Sequence, residues 1–473
     1  MDSGSLGRSG VHGGHGAAVS RAREAAIVGG AALAAYVNAI YASFQFDDFD
    51  VVVHDPRVQS IKAWWDSMPG MRPWLKLSYA MNHASGAGVA GFHTVNVAIH
   101  VAAAICILLL LRKLADRFVG GDRDAATVAF VGAIVFALHP VQTEAVTYVC
   151  GRSASLSALA CLLSMLAWVE GRERRALAWT HVLSPFLFAI ALGVKESAVP
   201  LPAALLLWRA VDPSSDRTRD RLAGIAAHLV VLAGATISFA LIPGYRRFFA
   251  VSLGLRDAAT NLRTQASAVW YLLGQLVRFD RLNADPALPV VSSWTVGAVA
   301  ALAAVIAIAI VGLLAIRRRP ALAFGILWFL IWLAPTCTVF PRLDVANDRQ
   351  LYLAIAGPAW LCGLAAAALM RSRPKVAVAV CVLLSLVLGA ATMMRNRVYA
   401  TEISFWENVS RKSPGNARAF NNLGYAYALA RRNVEAAVAL RQALKLAPND
   451  PKAVINLHML EDGTLGTAPT SGR

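Results

Sequence analysis

The chain has 473 residues, 57% of them hydrophobic and 15% charged, against roughly 25% charged in an ordinary soluble domain. A water-soluble fold of this length cannot hide so much apolar surface, whereas a bilayer accepts helices that are apolar all round. The formal net charge of +17 comes from 45 Lys and Arg against 28 Asp and Glu; in a soluble protein it would suggest nucleic acid, but here the basic residues sit in short loops between apolar runs, the positive-inside pattern of a protein whose partner is the lipid bilayer.

The first 24 residues are rich in Gly, Ser and His and predict a disordered cytoplasmic N-terminus; His12 and His15 are too few for a metal tract. Arg21 and Arg23 precede the first apolar run, which therefore reads as an uncleaved anchor. Apolar runs occur at about 25–44, 93–111, 127–140, 153–169, 178–194, 197–210, 222–243, 294–316, 321–337, 351–370 and 376–394. Some are shorter than the ~20 residues a straight span needs, so their ends include flanking polar residues.

If the runs alternate, the loops carrying Arg112, Lys113 and Arg117, then Arg172, Arg174 and Arg175, then Arg317 to Arg319, then Arg371 and Arg373 share one side. The positive-inside rule makes that side the cytoplasm. The stretch 264–277, between Arg263 and Arg278, would push every later basic loop outside if it spanned. It therefore reads as an interfacial or re-entrant helix. The expectation is an all-α polytopic membrane helix bundle of about 11 spans, N-terminus in and C-terminus out. Its first outer loop, 45–92, holds Trp64, Trp65 and Trp74, which suits an amphipathic helix at the membrane surface.

After about residue 395 the chain turns polar and helical. Asn422, Leu423, Gly424, Tyr427, Ala436, Leu440, Ala443 and Pro448 follow the spacing of a tetratricopeptide (TPR) repeat, and Asn456 and Leu457 echo Asn422 and Leu423 one 34-residue period later. The expected organisation is a transmembrane domain at 25–395, TPR repeats at 396–460 and a disordered tail at 461–473. Gly424 would let two helices cross closely, and Pro448 would end the second. Of the six cysteines, Cys150 and Cys337 fall near outer ends of runs, which leaves a disulfide between them open.

Polar clusters recur at the outward ends of the runs. Asp47 and Asp48 follow the first run, between Phe46 and Phe49. They can form a solvated turn, supply a general base raised in pKa by partial burial, or hold a divalent cation such as Mg or Mn. Arg72 precedes Pro73. His93, Asn96 and His100 share one helical face, either lining a cavity or making interhelical hydrogen bonds. His139 and Glu144 with Arg152, then Lys195 with Glu196, then Arg349 with Tyr352, complete the set. Cations there can bind the phosphate of a lipid carrier or simply pair with neighbouring carboxylates.

The order of these motifs resembles the transmembrane and TPR-containing O-mannosyltransferases. The Asp pair after the first run, an Arg-Pro, Phe92-His93-x-x-Asn96-x-x-x-His100, His139-Pro140-x-x-Thr143-Glu144, Gly151-Arg152, Lys195-Glu196 and Asp348-Arg349-x-Leu351-Tyr352 follow the family's sequence of motifs over about 25–460. The TPR segment is short for the family, and Asp348 stands where a Glu is more usual before Arg349. The resemblance implies a GT-C fold and a glycosyltransferase that takes a sugar, mannose-like, from a polyprenyl-phosphate carrier. The acceptor would be a protein Ser/Thr hydroxyl or a glycan on the extracytoplasmic face. Asp47 and Asp48 would be the catalytic motif, and no metal is required. The Ala- and Arg-rich composition points to a bacterial inner membrane. A non-enzymatic scaffold, with the TPR groove holding a protein partner, is the alternative; so many outward polar clusters have no purpose in a pure anchor. A transporter is disfavoured, because no internal repeat is evident in the membrane domain.

Overall fold

The computed structural model of the chain describes residues 10–212, 223–337 and 341–465. Within them every regular element is helical. The N-terminal half runs α1 (Gly10–Tyr36), α2 (Ile61–Asp66), α3 (Pro73–Ser85), α4 (Gly88–Phe118), α5 (Asp122–Leu138), α6 (Thr143–Val146), α7 (Arg152–Glu173), α8 (Ser184–Val194) and α9 (Leu201–Val211). The chain continues as α10 (Ala223–Leu241), α11 (Pro243–Leu255), α12 (Ala258–Gln275), α13 (Val296–Arg318), α14 (Pro320–Leu333), α15 (Leu351–Ala354), α16 (Ala356–Ser372) and α17 (Pro374–Asn396). Four further helices close it: α18 (Glu402–Lys412), α19 (Ala417–Leu429), α20 (Asn433–Leu446) and α21 (Pro451–Glu461).

The protein is an all-α integral membrane helix bundle. Every apolar run of the sequence contains a helix. Among the described residues six helices are long and apolar enough to cross a bilayer, or eight when two bent pairs each count as one span. The bends are 48° at His139-Pro140, between α5 and the Pro140–Val146 segment, and 53° between α15 and α16. The expected figure of about 11 counts three shorter helices as well, Trp179–Val194, α9 and α14. At 1.5 Å per residue, α9 is only ~16 Å long against a hydrocarbon core of ~30 Å. The helix α12 is not among the candidate spans, and it buries Asn261, Arg263, Thr264 and Gln265. Lipid-facing character is clearest in α13, where protein buries only Ala298 and Gly312.

Helix α5 packs against α4 and α16, and α16 against α14. Glycine makes those crossings close. A Cβ on Gly363 would lie 2.2 Å from the Val128 carbonyl oxygen, and one on Gly357 would lie 2.3 Å from that of Gly325. Without a hydrophobic drive between helices in lipid, such backbone approach is a main source of packing energy.

One expectation changes and one open possibility closes. The N-terminal segment expected to be disordered through residue 24 is helical from Gly10, because the helix formers Ala17, Ala18, Arg21, Ala22 and Arg23 let the first span propagate backwards. All six cysteines are free thiols, so Cys150 and Cys337 are not bridged.

Outer loop 45–92 folds into two short helical turns followed by α2 and α3. Trp64 is buried and donates to the Pro73 carbonyl, while Trp65 and Trp74 are exposed. At the far end of the chain, α19 and α20 pack on one another, and a Cβ on Gly424 would meet Leu440 at 2.6 Å, so the close crossing expected there is present. These C-terminal helices do not stand alone. Phe405, Trp406, Val409 and Leu423 share one hydrophobic core with Val52, Tyr79, Phe92 and Tyr148. Leu465 is also buried, so the segment after α21 is ordered to that point. Residues 466–473 lie outside the described residues.

Candidate active site

The Asp pair divides into two environments. Asp48 is fully buried. One carboxylate oxygen accepts the Gln45 amide N–H at 3.0 Å and the other accepts that of Cys150 at 2.7 Å. Burial pushes its carboxyl up to about 7, and these hydrogen bonds oppose that rise. Asp48 thus ties the loop after α1 to the turn before α7.

Asp47 is only half-buried. Its amide donates to the Tyr148 hydroxyl at 3.1 Å. Burial raises its carboxyl above the usual range, the Arg349 cation and Tyr148 hold it down, Asp344 adds to the rise, and Arg418 opposes it. The residue before the pair, Phe46, has φ of 44°. This left-handed conformation costs a residue with a Cβ about 1–2 kcal/mol and turns the two neighbouring carboxylates to different surroundings.

Arg349 lies in the short turn Asp348–Gln350 that leads into α15. Its amide donates to Glu144 Oε2 at 3.0 Å, its Nε lies 3.5 Å from Glu144 Oε1, and its guanidinium sits 5.6 Å from the centre of the Tyr148 ring. Glu144 reaches it because the bend at His139-Pro140 swings α6 inward. The turn between α6 and α7 closes on Gly151, where a Cβ would lie 2.1 Å from the Glu144 carbonyl oxygen. Gly151→Ala should therefore displace both Asp48 and Glu144, destabilising the fold by about 1–3 kcal/mol. A lowered melting temperature of the purified chain checks it, and an unchanged one would contradict this packing.

Lys195 and Glu196 follow α8. Arg72, another non-glycine residue at positive φ (50°), forks onto Glu196 with contacts of 3.0 and 2.8 Å, and its amide donates to Tyr245 of α11 at 3.1 Å. Lys195 has no carboxylate partner among the described residues, nor does the half-buried Arg342. Burial lowers the Lys195 ammonium well below its usual range, and the cations of Arg349, Arg72 and Arg342 push it further against the pull of Glu196. Arg342 is lowered to about 10 by burial and by Arg349. Lys195 and Arg342, with no carboxylate partner among the described residues, stand beside the paired Arg72 and Arg349 in a site that gains from an arriving anion.

The structure thus brings Asp47, Arg72, Glu144, Lys195, Glu196 and Arg349 together. The remaining candidates lie deeper. Arg152 is fully buried and spends its donors on Asn96 Oδ1 (2.6 Å), the Phe92 carbonyl (2.9 Å) and the Ser78 carbonyl (3.1 Å). His100 bonds the Tyr352 hydroxyl at 2.9 Å and the Ala137 carbonyl at 3.0 Å. His139 accepts the Val141 amide and bonds the Leu276 carbonyl at 3.0 Å. His93 is completely buried at the start of α4. Arg152, His100 and His139 thus join separate elements of the bundle to one another. Three residues that the motifs did not single out, Tyr148, Arg342 and Arg418, adjoin Asp47 or its cations. Arg342 carried a signal, since it is a basic residue in the same loop as Arg349.

The fit to a divalent cation is poor. Both Asp48 oxygens already accept amide hydrogens, and among the described residues no group of three His, Cys, Asp or Glu side chains gathers for a metal. A cavity of about 830 Å³ lies at the opposite end of the bundle, near Glu24, Lys113, Glu170 and Arg174. Lys113 and Arg174 there already pair with Glu170.

No family model matches the chain. It is similar to protein O-mannosyl-transferase TMTC1 of Homo sapiens, 24% identical over 522 aligned residues that cover 95% of this chain and 58% of that protein. Against protein O-mannosyl-transferase TMTC4 of Mus musculus the identity is 25%, covering 84% of this chain and 63% of the relative. Against protein O-mannosyl-transferase F38B6.6 of Caenorhabditis elegans it is 23%, covering 82% and 58%. The chain spans about three-fifths of the length of these relatives.

Proposed function

From the kinship of this chain with the TMTC protein O-mannosyl-transferases over most of its length, we propose that it is a membrane glycosyltransferase. It moves a mannose-like hexose from a polyprenyl-phosphate carrier to a Ser or Thr hydroxyl of a protein on the extracytoplasmic face. The observation that carries this reading is the half-buried Asp47 carboxylate beside Arg349, with Lys195 and Arg342, which have no carboxylate partner among the described residues, next to that arginine.

The carrier's tail stays in the bilayer while its phosphate meets Arg349, Lys195 and Arg342. Asp47 takes the proton of the acceptor hydroxyl. The oxygen attacks the anomeric carbon from the face opposite the phosphate, and the bond from that carbon to the phosphate oxygen breaks. Its electron pair leaves with the polyprenyl phosphate, and the anomeric configuration inverts. The charge that grows on the departing phosphate is what the cations stabilise. Asp48 acts as the anchor of the base, and the C-terminal helices, read as TPR repeats, lie on the acceptor side.

Mass spectrometry of extracytoplasmic proteins tests the reading, comparing cells that lack the gene with cells complemented by wild type or by Asp47→Asn. A hexose modification that disappears on deletion and returns only with wild type supports it. If no modification changes, or the variant restores it fully, the enzyme reading fails and the scaffold reading takes its place.

A further inference from the structure

The C-terminal helices reach the loop of the Asp pair directly. Trp406 of α18 is buried and meets the Phe46 ring edge to face, with centroids 5.3 Å apart at 87°. The Arg418 guanidinium of α19 lies 5.4 Å from the centre of the same ring. Arg418 is itself fixed from two directions. Its Nε and Nη2 fork onto Asp285 at 2.9 and 2.5 Å, and Nη2 also meets Asp344 at 2.8 Å. Asn416 adds a bond to Asp285 Oδ2 at 2.9 Å. Asp344 belongs to the loop that carries Arg342 and Arg349. One side chain therefore connects the C-terminal array, the loop of cations and the turn before Asp47.

A phenylalanine in the left-handed region has no local reason to stay there, and such conformations persist only where surrounding contacts over-determine them. For Phe46 those contacts include Trp406 and Arg418. We infer that Trp406 and Arg418 are positioning residues for sugar transfer: they clamp the Phe46 ring, hold the turn that presents Asp47 to the acceptor, and make the C-terminal array part of the catalytic unit. This rests on Asp47 being the base. The array is required for the chemical step itself, whatever part it takes in acceptor recruitment. Five groups face Asp47: Arg349, Tyr148, Asp344 and Arg418 from other elements, and Asp48 on its own. Removing Arg418 takes away one of the two cations that hold its carboxyl down.

The test uses the full chain in proteoliposomes with polyprenyl-phosphate mannose as donor and a synthetic Thr-rich peptide as acceptor. Trp406→Leu removes the ring contact and leaves the ion pairs of Arg418 intact. Arg418→Ala leaves the Trp406 ring in place and removes the guanidinium over Phe46 together with the ion pairs to Asp285 and Asp344. Arg441→Ala, on the exposed face of α20, is the control, and Asp47→Asn is the reference. Trp406→Leu and Arg418→Ala should lower kcat about 10- to 100-fold, as a misplaced reacting group does, with donor KM unchanged and Arg441→Ala behaving as wild type. The acid limb of the pH profile should move to higher pH in Arg418→Ala and stay in place in Trp406→Leu. Limited proteolysis reports whether the array is still docked; where Arg418→Ala undocks it, Trp406→Leu decides. Wild-type kcat in Trp406→Leu, with Asp47→Asn inactive, overturns the clamp and leaves the base reading standing. An active Asp47→Asn overturns the base reading, and the clamp with it.

Discussion

Asp47→Asn lowers sugar transfer by about 10²- to 10⁴-fold, the range lost with a positioned general base, while the chain stays folded and inserted. The amide has the size of the carboxylate and leaves the Asp47 backbone bond to Tyr148 intact, but it cannot take a proton from the acceptor. Asp48→Asn separates the two roles. Its side chain exchanges one acceptor oxygen for an NH₂ group facing the amide hydrogen of Gln45 or Cys150, which leaves a buried donor unsatisfied at about 1–3 kcal/mol. That variant should lose thermal stability first and activity in consequence. Initial rates and melting temperatures of both variants, in the same proteoliposomes, check the division. Full turnover in Asp47→Asn would move the base elsewhere, and a wild-type melting temperature in Asp48→Asn would refute the anchor.

The membrane bundle was legible because its signal is local. A run such as 294–316 needs no partner to declare itself, and α13 covers it with only Ala298 and Gly312 buried by protein. Gly424 was legible for the same reason, since Leu440, which it meets, lies on the very next helix. The three short helices were less so: composition marks them apolar, but their length is set by Pro200 and Pro320 at their starts and by the loops they must reach. Of the candidate site, the polar residues to consider were legible and their arrangement was not. Two adjacent aspartates look equivalent in a sequence. Their difference depends on the φ of Phe46, held by side chains of α18 and α19 far along the chain. His100, His139 and Arg152 stood out as polar groups near apolar runs, and the carbonyls of Ala137, Leu276 and Phe92 that satisfy them are visible only once the helices are packed.

Arg349 carries two kinds of consequence, and Arg349→Gln should show both. Loss of a cation at the departing phosphate lowers turnover by about 10²- to 10³-fold, as for other preorganised donors to a developing charge. The second effect is on pH. The base must be ionised, so the rate rises as pH passes upward through the Asp47 pKa. Burial holds that pKa above the ordinary carboxylate value, and Arg349 is the strongest influence pulling it back. Without the cation the pKa rises further, and the acid limb of kcat/KM moves to higher pH. Arg349→Lys keeps the charge and loses the fork geometry, so it should restore the position of the limb without restoring the full rate. Glu144 complicates stability and not this pH argument: once its partner is removed, a carboxylate with 3% of its side chain exposed has lost its main cation, and a folding penalty of several kcal/mol is expected in Arg349→Gln. Melting temperatures of Arg349→Gln and Arg349→Lys, read beside their pH profiles, separate that penalty from the loss of catalysis. An acid limb that stays where wild type has it in Arg349→Gln would mean that Asp47 is not the group whose ionisation limits transfer.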